Sequence, residues 1–289
     1  MIHTMMTISP ITEKLIDLAL TEDLACGDFT TDAIFNDAHN AKGYLVAKEE
    51  LVVCGTDIFE FVIRKIEDRT LGNYQPVTIS FLVKDGQKVA NGTRLAEFSG
   101  STMVLLKAER TALNLLQHMS GVASQTRKLV DALGPNIRLT NTRKTLPGFR
   151  ELQHYAVRCG GGHSHRFNLG GGVMIKDNHI SAAGSIQKAV QKCRDFAPHT
   201  LKIEVEVTNQ DEVDQALFAG ADIIMLDNMS HDEMIDACKR IGDKALVEIS
   251  GNVTLEKIAN IKDIPACCAS CGALTHSSHG ADISMKFES

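Results

Sequence analysis

The sequence predicts an α/β protein with an antiparallel-sheet segment ahead of a (β/α) barrel. Three observations carry this. Six short apolar strands recur at 137–140, 173–176, 203–207, 222–226, 245–249 and 266–269. Their starts are spaced 36, 30, 19, 23 and 21 residues apart, with helical stretches such as 211–219 and 231–241 between them. Alternation of strand and helix at that spacing implies a parallel sheet. Residues 40–100, by contrast, are strand-rich, with alternation over Ala41–Ala47 and turn signals at Asp85-Gly86 and Asn91-Gly92. A doubly wound sheet is the rival architecture, but no G-x-G-x-x-G follows the first parallel strand.

Each element has its own warrant. Ser9-Pro10 opens a helix, because serine caps and proline suits the first helical position. Ile11, Leu15, Leu18 and Ala19 are expected to form its apolar face. After the antiparallel segment, Leu105, Ala108, Ala112, Leu116 and Met119 recur at spacings of three and four, which predicts a helix over 102–119 ended by Ser120-Gly121. Alternation over Asp282–Phe287 suggests a final strand that returns to the first domain.

Composition narrows the function. The chain has 289 residues, 44% hydrophobic and 23% charged, which excludes fibrous and disordered classes. Its net charge of −6 argues against a nucleic-acid binder. No apolar run approaches the ~20 residues that span a bilayer, and the N-terminal stretch lacks a basic n-region. The eight cysteines are then expected to be reduced thiols in a cytoplasmic protein. A zinc site built on Cys267, Cys268, Cys271, His276 and His279 is the competing reading. The segment is apolar and strand-like before a glycine, which favours buried thiols.

The charge is concentrated. Residues 138–176 hold seven basic residues and one acidic residue, so this window is +6 and the remainder −12. The strand ends explain it. The first parallel strand leads to Arg143 and Lys144, and the second to Lys176, Asp177 and Asn178. The third carries Glu204 and Glu206, the fourth Asp227 and Asn228, and the fifth Glu248, Ser250 and Gly251. A single such residue is ordinarily a solvated loop charge. Five strand ends in register point to the C-terminal mouth of a barrel, where such enzymes place their chemistry. Converging Arg and Lys suit a substrate with several carboxylates or phosphates. Glu206 and Asp227 opposite them suit a divalent cation or a developing positive charge. Glu204 and Glu206 share one face of a strand. Backbone N–H groups at Ser250-Gly251-Asn252 and Ser270-Cys271-Gly272 are suited to phosphate. Six glycines between Gly160 and Gly172, flanked by His163, His165, Arg166 and His179, permit close backbone approach to a ligand; a flexible surface loop is the alternative.

Several strings together resemble the quinolinate phosphoribosyltransferase family: TRKTLPGFR (142–150), YAVRCGGGHSHRFNL (155–169), IKDNHI (175–180), EVEV (204–207), LDN (226–228) and EISGN (248–252). EDLACGDFTTD (22–32), ERTALNLLQHMSGVA (109–123) and GALTHSSHGADISMKF (272–287) extend the likeness over nearly the whole chain. The resemblance implies an N-terminal α/β sandwich domain over 1–115, completed by 276–289, and an incomplete TIM-like barrel over 116–275. It implies transfer of phosphoribosyl from phosphoribosyl pyrophosphate to quinolinate with Mg²⁺, giving nicotinate mononucleotide, pyrophosphate and CO₂. Arg143, Lys144, His165, Arg166 and Lys176 are then expected to bind quinolinate, joined by Arg110 from the neighbouring subunit of a homodimer or higher homo-oligomer. Lys144, Glu206 and Asp227 take catalytic roles, the two acids facing ribose and metal. Ser250, Gly251, Asn252, Ser270, Gly272 and His276 are expected at the phosphoribosyl pyrophosphate. Ser164, Asn168 and Gly170–Gly172 depart from the usual family pattern around His165-Arg166. Three rivals stand beside this reading. One is a relative of the same fold with another substrate, of the molybdenum-transport accessory type. The second is a Schiff-base aldolase using Lys144 or Lys176. The third is a non-catalytic metal- or partner-binding protein built on the cysteine cluster.

Overall fold

In the computed structural model, residues 6–251 and 253–288 are described. The elements in chain order are α1 (Pro10–Leu24), α2 (Phe29–Ile34), β1 (Asn40–Ala47), β2 (Leu51–Val52), α3 (Thr56–Arg69), β3 (Thr78–Phe81), β4 (Lys88–Val89), β5 (Arg94–Ser101) and α4 (Thr102–Leu133). Then come β6 (Arg138–Thr140), α5 (Arg150–Cys159), β7 (Val173–Ile175), α6 (Asp177–Ala183), α7 (Ile186–Phe196), β8 (Ile203–Val207), α8 (Gln210–Phe218), β9 (Ile223–Asp227), α9 (His231–Ile241), β10 (Leu246–Ser250), α10 (Leu255–Ile258), β11 (Cys268–Ser270), α11 (Ala273–His276) and β12 (Ile283–Phe287).

The chain divides into two compact units. The first runs to Arg127 and includes Leu146–Gly161 and the segment from Ser277 onward; the second comprises Lys128–Thr145 and Gly162–His276. These bounds differ from 1–115 with 276–289 and 116–275 in that the first unit continues to Arg127 and takes in Leu146–Gly161. The reason lies in α5, whose side chains bond within the first unit. Tyr155 donates to Asp85 Oδ2 (2.9 Å), Gln153 Nε2 meets His118 Nε2 (3.0 Å), and Glu151 accepts from the hydroxyls of Ser9 and Thr12.

The first unit is an antiparallel sheet of order β12-β1-β5-β3 with helices packed on it. β12 pairs with β1 from Ile283–Ala47 to Phe287–Gly43. Ser9 caps α1 through Thr12 N, and Pro10 occupies the first turn. The buried face of α1 is Thr12, Ile16 and Leu20, whereas Ile11 and Leu18 are exposed. The expected apolar face is therefore corrected. The bonds of Ser9 and Thr12 to Glu151 fix the rotation of the helix, so a threonine is buried and an isoleucine is not. Within the stretch read as strands, α3 buries Ile58, Phe59, Val62, Ile63 and Ile66 and is capped from a distance, Asp85 accepting from Gly55 N (2.9 Å) and Thr56 N (3.1 Å). The helix expected to stop at Ser120-Gly121 continues to Leu133. Gly121 serves a different need: a Cβ there would lie 1.9 Å from the His279 carbonyl oxygen. It is a close-approach glycine inside a helix.

The second unit is an all-parallel six-stranded sheet of order β6-β11-β10-β9-β8-β7. β6 and β7 stand at its two ends, so the barrel is incomplete. His163 adds a single parallel bridge beside Thr140 at the β6 edge. Along β8, β9 and β10, Val205, Val207, Ile224, Leu226, Val247 and Ile249 are buried on one face. Glu204, Glu206, Met225, Asp227, Glu248 and Ser250 alternate onto the other. Register sets Met225 opposite both Glu206 and Glu248, and Glu248 opposite Cys268. This row is the floor on which the site is built.

Candidate active site

A cavity of about 270 Å³ opens in the second unit. It is lined by Thr142, Arg143, Lys144, His165, Arg166, Met174, Lys176, Met225, Glu248, Ser250 and Ser270. Four permanent cations and a histidine therefore surround one space. They come from the segment after β6, the glycine-rich loop and the end of β7, so strand ends and one loop assemble the positive island.

The loop is fixed at named points. Asn141 is fully buried, and its Oδ1 accepts from His165 N (2.9 Å). His163 N donates to Leu139 O (2.8 Å), and Asn141 N donates to His163 O (3.1 Å). These bonds sew the loop onto β6. Arg166 Nη1 donates to Gly172 O (2.9 Å), so Arg166 also braces the far end of the glycine run. Gly171 and Gly172 lie against its stem, where a Cβ would sit 3.6–3.7 Å from Arg166 Cβ. The glycine run at 170–172 is thus in contact with a cavity residue.

His165 is the centre of the floor. Its Nε2 lies 3.4 Å from Glu204 Oε2 and 3.3 Å from Glu248 Oε2, with both carboxylates buried. Burial presses the imidazole down, and the two carboxylates more than reverse this, holding it up at about 10. Burial raises Glu204 as well, Glu248 adding to it. Burial works against ionised Glu248 too, but contacts from His165 and Cys268 outweigh it and bring that group down. Arg166 N points at His165 Nδ1 (2.7 Å), which suits a neutral ring protonated on Nε2, whereas the raised titration favours the imidazolium. The two descriptions compete only for Nδ1. Nε2 carries its proton in both, directed at the carboxylates.

At the mouth, Lys176 Nζ pairs with Glu206. Lys176 N donates to His179 Nδ1 (3.0 Å) at the start of α6. Asp227 ends β9 and accepts from Asn228 Nδ2 (2.9 Å). Asn228 has φ 54°, and its N donates to Ser250 O (3.2 Å). Gly251 has φ +102°, and a Cβ there would lie 2.3 Å from Asn228 Oδ1. The LDN and EISGN strings therefore form one interlocked corner. At Gly272 a Cβ would meet Lys144 Cδ at 2.9 Å and His276 Nε2 at 3.3 Å, which sets the phosphate-suited turn beside Lys144 and exposed His276.

The expected residues are thus distributed as follows. Arg143, Lys144, His165, Arg166, Lys176, Ser250 and Ser270 line the cavity; Glu206 pairs with one of its lysines. Asp227 sits opposite Ser250 in register. Gly251, Gly272 and His276 lie at the adjoining turns. Asn252 lies outside the described residues. Arg110 is exposed on α4 in the first unit and is not among the described residues that line the cavity. Sequence reasoning missed Asn141 and the roles of Glu204 and Glu248 toward His165. For Glu204 and Glu248 the signal is their placement on inward-facing strand positions; Asn141, just past β6, carries none. Of the clustered thiols, Cys268 donates to Glu248 Oε2 (3.2 Å) beside Cys267, while Cys271 turns away and donates to Val253 O (3.2 Å).

Comparison with known proteins gives a consistent result. Residues 28–120 match the N-terminal domain of quinolinate phosphoribosyl transferase, and residues 122–286 match its C-terminal domain. The nicotinate-nucleotide pyrophosphorylase (carboxylating) of Mycobacterium leprae is 39% identical over 272 residues, covering 92% of this chain and 94% of that protein. The human protein of the same name is 36% identical over 286 residues, covering 96% and 93%. The crystal structure of NadC from Streptococcus pyogenes superposes with a TM-score of 0.91 at 40% identity, covering 98% of this chain and 99% of that one.

Proposed function

The chain belongs to the quinolinate phosphoribosyltransferase family, and from that premise we propose the reaction its cavity performs. The enzyme transfers the phosphoribosyl group of phosphoribosyl pyrophosphate to quinolinate and releases pyrophosphate and CO₂, leaving nicotinate mononucleotide for NAD synthesis. The observation that carries this reading is the ring of Arg143, Lys144, Arg166 and Lys176 around one small cavity with His165 on its floor. Quinolinate bears two adjacent carboxylates on a flat ring, and such a set of cations grips both.

Fixed in this way, the pyridine nitrogen faces the anomeric carbon of the donor. Orientation of two substrates removes several kcal/mol from a bimolecular barrier. As the bond to pyrophosphate breaks, the ribose gains positive charge, and Glu206 and Asp227 stabilise it. Lys176, now paired with Glu206, is placed to exchange that partner for a substrate carboxylate. The new N–C bond makes the ring nitrogen cationic. The carboxylate on the neighbouring carbon then leaves as CO₂, its bonding electrons held beside the cationic nitrogen until a proton replaces it. Lys144, next to the Gly272 turn, meets the departing pyrophosphate.

Mg²⁺ fits this donor set. Glu206 and Asp227 offer hard carboxylate oxygens on adjacent strands, and two protein ligands suit an ion that takes its remaining ligands from phosphates and water. When bound, Mg²⁺ neutralises charge on the leaving pyrophosphate. We place Arg110 in the cavity of a neighbouring copy: its exposed position on α4 supports a shared site in a homo-oligomer. A cytoplasmic location accords with eight free thiols and with the absence, among the described residues, of a helix long and apolar enough to cross a membrane. The test is direct. With phosphoribosyl pyrophosphate and Mg²⁺, quinolinate yields nicotinate mononucleotide and nicotinate does not; turnover of nicotinate alone would reverse the assignment.

A further inference from the structure

Cys267 and Cys268 are neighbours in sequence, and a regular strand would turn their side chains to opposite faces. Here Cys267 sits in a bend just before β11, and the two sulfurs lie 3.4 Å apart. Both residues are half-buried. Cys268 is opposite Glu248 in the sheet, and its S–H faces the same Glu248 Oε2 that contacts His165, at 3.2 Å and 3.3 Å respectively. A continuous chain of polar contacts therefore runs from the thiol pair to the cavity floor. The third cysteine of the cluster is committed elsewhere, to Val253 O.

We infer that Cys267 and Cys268 form a bidentate site for a soft, thiophilic metal or metalloid centre, and that its occupancy weakens substrate binding through Glu248. The spacing is suitable. A tetrahedral centre with metal–sulfur bonds of about 2.3 Å holds two sulfurs about 3.8 Å apart, an opening of a few tenths of an ångström from the distance found. Ligation removes the Cys268 S–H from Glu248 and sets a bulky group against that carboxylate, which moves the partner of His165. The coupling half of this inference rests on the function proposed above; the binding half does not.

Phenylarsine oxide is the probe. Its arsenic bonds to both sulfurs, and the two thiol protons leave with the oxide oxygen as water, with no change of oxidation state. The full-length protein treated with one equivalent is expected to gain one adduct on the peptide carrying Cys267 and Cys268, reversed by 2,3-dimercaptopropanol and not by a monothiol. Peptide mapping separates this pair from Cys54 and Cys159, which also lie close together. The KM for quinolinate is expected to rise at least fivefold, with that for phosphoribosyl pyrophosphate unchanged. Cys267→Ser is expected to keep basal activity and lose both adduct and inhibition; Cys268→Ser is the second variant for the adduct. Absence of the adduct from that peptide, or an adduct that leaves the quinolinate KM unchanged, overturns the inference. Failure of the untreated protein to turn over quinolinate overturns the functional reading and the coupling with it, while the adduct still decides the site.

Discussion

His165 Nε2 lies 3.3 Å from Glu248 Oε2, a contact between a loop and the interior face of β10 that both partners make while largely withdrawn from water. It gives a buried carboxylate a role in positioning a cavity residue. Glu248→Gln keeps the shape and removes the charge. Losing a charged hydrogen bond of this kind costs about 1.5–3 kcal/mol. The quinolinate KM is expected to rise about ten- to hundredfold, with the phosphoribosyl pyrophosphate KM held. Steady-state kinetics checks it; equal shifts in both constants would count against the assignment.

The same contact sets a pH dependence. The His165 imidazole, near 6.5 in an unfolded chain, is held at about 10 in the folded state. A raised folded value contributes stability that is complete below pH about 6.5 and is lost as pH rises through 10. Melting curves of the wild type and His165→Gln should therefore differ most near pH 6 and converge by pH 10. A gap that stays constant over that range would contradict the paired histidine.

Arg143→Ala is expected to abolish measurable quinolinate binding in a titration, since a guanidinium that can hold a carboxylate bidentately is not replaced by a neighbouring lysine. Near-normal turnover in that variant would remove Arg143 from the site.

Gly251→Ala tests the corner between β9 and β10. Its φ of +102° and the 2.3 Å approach to Asn228 Oδ1 leave no room for a Cβ. Strain of this kind costs about 1–3 kcal/mol. The variant should melt earlier and show a raised KM for phosphoribosyl pyrophosphate; unchanged values for both would show that the corner yields freely.

Much of this was legible in the sequence. All six parallel strands lie within two residues of where their apolar runs were read, with 203–207 coinciding, because a buried strand between helices must be apolar. Strand ends marked the mouth for the same reason: polar residues there interrupt an otherwise apolar run. The misreadings have physical causes. Gly121 carries the signature of a helix stop, yet its need is set by a carbonyl at His279, far along the chain. Ile11 is apolar and reads as a core residue, but the bonds from Ser9 and Thr12 to Glu151 set the rotation of the helix and leave it exposed. The His165–Glu204–Glu248 cluster is not legible in the sequence because its members come from one loop and two strands that only the assembled sheet brings together.

A shared site makes a sharper demand. The Arg110→Ala and Lys144→Ala proteins are each expected to be nearly inactive. Mixed under conditions that exchange subunits, they should recover a fraction of wild-type activity, measured as pyrophosphate release. Heterodimers that form and stay inactive would confine the site to one chain.

The most direct measurement follows the carboxylate next to the ring nitrogen. Quinolinate labelled at that carboxyl is incubated with the protein, phosphoribosyl pyrophosphate and Mg²⁺, and labelled CO₂, pyrophosphate and nicotinate mononucleotide are counted. The three are expected in equal amounts, with none formed when either substrate is left out. Release of pyrophosphate without labelled CO₂, or no turnover of quinolinate, would contradict the account.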